Sequence, residues 1–214
     1  FDALDFSANH FPELVDDLQI KRPDMTYSQI NTHIEEKLSM LLNFVEDRRI
    51  DYYVYKNAPG YRGYYDALYK KYFHAKVIDK ALKTENHTTE TWESYEFRLI
   101  NILNKNTHLG ALKGLQELWD TLDIKNIGLL KNTKDSLNLA VALFRIIAKH
   151  VEQEDSESKQ SKPTSSDGDG SDDSKDFEPT EELTENQEKQ LDNAVGKQKD
   201  FLDSNIKKSK LSKK

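Results

Sequence analysis

Apolar positions along this chain recur at helical spacing. Ile30, Ile34, Leu38, Leu41, Leu42 and Val45 fall on one face of an amphipathic helix. Thr26 with Gln29 forms a capping-box pattern that starts this helix, and the pattern predicts its end between residues 49 and 55. The stretch 56–63 holds Pro59, Gly60 and Gly63 and reads as a turn. A second helix is predicted over 64–82, with Leu68, Tyr72, Ala75, Ile78 and Leu82 on one face. A third, N-capped at Thr89, is expected to bury Trp92, Tyr95, Leu99, Ile100 and Leu103. A fourth carries Leu109, Leu112, Leu115, Leu118, Trp119 and Leu122 and stops before a loop at Gly128. A fifth, over 133–151, is apolar nearly all round, as expected for a helix central to a bundle. Phe11-Pro12 and Arg22-Pro23 interrupt any long helix in the first 25 residues. No stretch alternates as a strand does, so the expected fold is all-α, a bundle of about five helices.

The periodicity stops at residue 152. Residues 152–180 are mostly Ser, Asp, Glu, Lys, Gly and Pro, the composition of a disordered acidic linker. Thr184 and Gln187 then repeat the capping-box pattern ahead of Leu191, Val195, Leu202 and Ile206, with Phe201 alongside. That narrow apolar stripe needs a partner surface, and the basic tail through Lys207, Lys208, Lys210, Lys213 and Lys214 reads as an approach to a following domain. Three parts are therefore expected: a helical domain over 1–151, the linker over 152–180, and an amphipathic helix with its tail over 181–214.

The net charge of −7 belongs to the linker, where ten acidic residues face three lysines, so the rest of the chain is neutral overall. A globally basic nucleic-acid binder is not indicated. No run of about 18 apolar residues is present to span a bilayer, and no membrane association is expected. The absence of cysteine excludes disulfides, thiolate metal sites and a cysteine nucleophile. It fits a reducing compartment, and the expected location is the cytoplasm.

The densest chemistry lies at the end of the first stripe, where Glu46, Asp47, Arg48 and Arg49 follow one another. Two readings are open there. One carboxylate pairs with one arginine as a half-buried salt bridge, or a carboxylate is aimed into a site as a metal ligand. The string Asn43-x-x-Glu46-Asp47-x-Arg49-Ile50, followed by a tyrosine-rich stretch, resembles the zincin-type metallopeptidase region of proteins that carry a C-terminal von Willebrand A domain. Those proteins in turn resemble the cobaltochelatase large-subunit family. The resemblance is densest over residues 39–122. It implies zinc, with Glu46 as the third metal ligand and Asp47, Arg48 and Arg49 supporting it or serving the fold. It also implies a following von Willebrand A domain and a MoxR-type AAA+ ATPase as partners.

A zincin needs His-Glu-x-x-His on one helix, because two imidazoles one turn apart bind one face of the ion. The histidines here are His10, His33, His74, His87, His108 and His150, and no two are four apart. The expectation is therefore a site completed upstream of Phe1, with zinc-peptidase activity reserved for a longer protein and none in this stretch alone. A non-catalytic scaffold that recruits a partner through the C-terminal helix is the alternative.

Other constellations have bland counterparts. Asp167, Asp169, Ser171, Asp173, Lys175 and Glu178 match a calcium loop in part, but Asp172 stands where the sharp turn needs glycine. Tyr52, Tyr53, Tyr55, Tyr61, Tyr64, Tyr65, Tyr69 and Tyr72 interleave with Arg and Lys. They form either a packing layer with hydroxyls in water, the favoured reading, or a weak single-stranded nucleic-acid groove. No Ser-His-Asp order, phosphate-binding loop or dinucleotide fingerprint occurs.

Overall fold

The computed structural model of the chain describes residues 11–151, 179 and 182–211. The expected acidic linker apart from Pro179 falls outside them, as do the calcium-loop pattern, the first ten residues and the last three of the basic tail. The fold is all-α, with no strand among the described residues.

The spine is α2 (Tyr27–Asn57), 31 residues long and about 46 Å at a rise of ~1.5 Å per residue. The expected capping box is formed: Thr26 accepts from the Gln29 amide, and the Gln29 side chain accepts from the Thr26 amide at 2.8 Å. At the other end Arg62 donates from Nε to the Tyr55 carbonyl at 2.9 Å, closing one of the orphan carbonyls of the last turn. The buried stripe is Ile30, Ile34, Leu38, Leu41, Leu42 and Val45, as the spacing predicts, with Phe44 and Glu46 added to it. Against it packs α8 (Thr133–His150) through Ala140, Leu143, Phe144 and Ile147. Its Leu137, Leu139, Val141 and Ile146 are only partly buried, so α8 covers one side of α2 and is not enclosed all round. Between the first two prolines a short helix does form, α1 (Pro12–Lys21), with Pro12 in the first turn where its missing N–H costs nothing.

The expected helix over 64–82 is two helices, α3 (Arg62–Tyr72) and α4 (Lys76–Ala81). The break is held from a distance: Asn104 donates to the Phe73 carbonyl at 2.8 Å and to Asp79 Oδ1 at 2.7 Å. Phe73 turns into the main core, while Ile78, Ala81 and Leu82 form a second small core with Phe97. The third helix, α5 (Trp92–Ile100), starts two residues later than expected, with Thr91 in place of Thr89 as the cap that accepts from Ser94 N. Leu103 lies beyond its end and is 56% exposed, contrary to expectation. The fourth is a 3₁₀ turn over Leu109–Ala111 followed by α6 (Leu115–Thr121). Gly114 divides them at φ 74°, and a Cβ there would lie 2.5 Å from the His150 ring. Trp119 faces outward. The expected Gly128 loop is instead helical, in α7 (Ile124–Leu129).

The C-terminal helix α9 (Glu185–Leu211) finds its partner surface on this same chain. Leu191 is buried and Ala194 and Val195 pack against the second core, while Leu202 joins the main one. Phe201 stacks on Tyr72 at 4.9 Å between ring centroids. Gln198, 1% exposed, donates to the Tyr72 carbonyl and to Asn101 Oδ1.

Candidate functional site

The sequence-predicted quartet sits on the last buried turns of α2. Glu46 takes two hydrogen bonds from Arg49, at 2.6 Å from Nη2 and 3.3 Å from Nε, in the i,i+3 geometry of a half-buried helical pair. The carboxylate is thus committed to a guanidinium. Among the described residues no group of three His, Asp or Glu is placed to hold a metal ion. The histidines are dispersed. His33 meets Trp92 edge-on at 5.3 Å, His87 stacks on Phe97 at 4.2 Å, and His108 caps the 3₁₀ turn by accepting from Gly110 N.

Arg48 points to the other side of α2 and opens a different site. Its guanidinium lies 5.0 Å from the Phe44 ring, 5.2 Å from Tyr69 and 5.6 Å from Phe73, a cation held among three aromatic faces. Nη1 donates to the Tyr69 hydroxyl at 2.5 Å, and that hydroxyl donates to Asp51 Oδ2. Arg48, Tyr69 and Asp51 therefore form one chain of hydrogen bonds from α2 to α3 and back. Burial pushes the Asp51 carboxyl above its ordinary range, opposed by the Tyr69 and Tyr65 hydroxyls and the Arg48 charge. Burial also raises the Tyr69 phenol, with Asp51 adding to the rise and Arg48 opposing it. Tyr65 shifts up for the same two reasons, burial and the Asp51 charge, with smaller contributions from Tyr64 and Asp47.

These groups line a cleft of about 370 Å³ between the end of α2, α3, the turn after α5 and the α6–α7 corner. Ile102, Leu103, Leu122 and Ile127 supply its apolar wall, and Tyr52, Tyr55 and Tyr65 its aromatic one. Gly128 lets α7 lie against Tyr52, since a Cβ there would come within 3.1 Å of the Tyr52 hydroxyl oxygen. Helix α3 forms a whole side of the cleft yet has no fully buried residue. The tyrosine crowding visible in the sequence is therefore split: Tyr53, Tyr61 and Tyr64 are exposed, while Tyr65 and Tyr69 turn inward. Sequence reading missed Asp51 as a site residue. The signal was present, since Arg48, Asp51, Tyr52 and Tyr55 share one helical face at i, i+3, i+4 and i+7. Leu103, Leu122 and Ile127 carried no such signal.

Apolar walls with a few converging polar groups are the make-up of a ligand site. Comparisons of the chain with protein-family models, with curated proteins and with solved structures return no match. No described helix is long and apolar enough to cross a membrane.

Proposed function

We propose that this chain is a non-catalytic helical interaction module whose cleft beside α3 receives a side chain from a partner. The observation that carries this reading is the cleft itself, apolar and aromatic, open to solvent, and built on a helix with no fully buried residue. Helix α3 is held by partly buried aromatics and by polar ties through Tyr69, Arg62 and the Tyr72 carbonyl, so its cleft-facing side chains can adjust to a ligand without opening the core. The groups facing the cleft are phenols, one guanidinium tied to a phenol, and two carboxylates. Such groups orient and hold a ligand. The von Willebrand A domain and MoxR-type ATPase implied by the resemblance are the partners to test first, and the zinc role of Glu46 rests on that resemblance alone.

The test is Leu103→Glu, which places a charge in the cleft from an exposed position and leaves the core untouched. Calorimetry against the ATPase and the von Willebrand A domain should show a loss of about ten-fold or more in affinity, the scale of one interface hot spot, with the helical signal unchanged. Full affinity in the variant would remove the cleft from partner binding.

A further inference from the structure

We propose that the cleft selects a cation: an alkylammonium or guanidinium group on an apolar stem, seated against the Tyr52, Tyr55 and Tyr65 rings with Asp51 and Asp66 as counter-charges. This rests on the reading of the cleft as a binding site and adds the chemistry of what binds.

Three observations carry it. The tyrosine rings of this cleft already attract cations, with Lys56 5.6 Å from the Tyr52 ring and Arg62 5.0 Å from the Tyr55 ring. Phenol faces are electron-rich, and their pull on a cation grows as water is excluded. Second, the charged side chains lining the cleft are Arg48, Asp51 and Asp66, and Arg48 is tied to the Tyr69 hydroxyl beneath aromatic faces. Two carboxylates against one guanidinium leave the lining with an excess of negative charge, and Asp66 is its exposed member. Third, Asp51 accepts a hydrogen bond from the Tyr69 hydroxyl and makes no ion pair with a cation among the described residues. A half-buried carboxylate with only phenol donors gains from a cation delivered beside it. The upward push on the Asp51 carboxyl is the electrostatic sign of that deficit. The Ile102, Leu103, Leu122 and Ile127 wall then covers the aliphatic stem, as apolar surface does for lysine and arginine generally.

Isopentylammonium and isopentanol share a stem and differ in the head, so titrating both at neutral pH into the full chain, read at the Leu103, Leu122 and Ile127 methyl resonances, separates the claims. Both should shift these methyls, the ammonium binding about ten-fold more tightly, as a partly desolvated cation–π and carboxylate contact provides. The advantage should vanish in Asp51→Asn and shrink in Asp66→Asn, whose exposed position keeps the result independent of how the first variant folds. Equal affinity of the two probes, or tighter binding of the alcohol, overturns cation selection and leaves an apolar cleft. No shift with either probe overturns the cleft as a binding site. A short lysine peptide and its norleucine counterpart then identify the source. A lysine peptide tighter than the free amine indicates a basic side chain of a partner protein, and equal affinity indicates a small organic cation. A norleucine peptide binding as well as the lysine peptide overturns the proposal.

Discussion

Gln198 and Asn101 lie 97 residues apart and meet side chain to side chain, Gln198 Nε2 donating to Asn101 Oδ1 at 2.8 Å. The same Nε2 donates to the Tyr72 carbonyl at 2.7 Å, so one amide ties α9 to both α3 and the end of α5. Gln198→Leu withdraws that donor from one buried and one partly buried acceptor and should cost about 1–3 kcal/mol. Hydrogen exchange should quicken across α9 and stay unchanged in α8. Unaltered protection of α9 would show that its apolar stripe alone holds it in place.

Arg98 heads the fully buried side chains among the described residues, and it donates to the carbonyls of His87, Leu82 and Asn86 at 3.0, 3.1 and 3.1 Å. Burial lowers its pKa to about 10, still well above neutrality. Arg98→Met strips three carbonyls of their donor and should destabilise the chain by about 3–5 kcal/mol in urea unfolding. Arg98→Lys should recover little, because one ammonium cannot reproduce the planar fork. A lysine variant with the wild-type midpoint would refute this account.

Burial lowers the pKa of His33, His87 and His150, chiefly by desolvating the charged ring. The unfolded chain then binds more protons than the folded one below the ordinary histidine value of about 6.5, so stability is complete above that pH and declines as pH falls toward the lowered folded values. Asp51 acts in the opposite sense, since its raised carboxyl makes the folded state hold a proton longer as pH rises. Urea midpoints measured from neutral pH downward should fall first through the histidine window. His87→Asn should flatten that fall, because asparagine tolerates the φ of 55° at this position and does not titrate. An unchanged slope in this variant would exclude His87 as a contributor.

The Glu46–Arg49 pair lies between the exposed and the buried regimes, with side chains 12% and 25% exposed. Glu46→Gln should therefore cost about 1–2 kcal/mol and leave the helical content intact. As an interaction module, the chain should show the same melting temperature with and without added zinc, in both the wild type and the variant. A zinc-dependent rise that Glu46→Gln abolishes would restore the ligand role of this carboxylate.

Much of the helical layout was legible in the sequence because helix formation is local. The stripe from Ile30 to Val45, the Thr26–Gln29 capping box and the three-residue spacing of Glu46 and Arg49 all lie within reach of the 3.6-residue repeat. The same locality explains what periodicity missed. The stripe through Leu68, Tyr72, Ala75 and Ile78 reads as one helix, and only Asn104, 31 residues further on, makes the break at Phe73 favourable by taking the stranded carbonyl. Leu103 fits an apolar face by spacing and is exposed because α5 ends before it. The stripe on α9 announced a need for a partner, but not that Ile78, Leu82 and Phe97 of this chain would meet it. The cleft draws residues from the ends of α2 and α3, the turn after α5 and the α6–α7 corner. Repeat spacing records which face of a helix is apolar. Which faces meet, and which polar groups they enclose, is decided by the long-range burial and hydrogen bonding that only the tertiary structure contains.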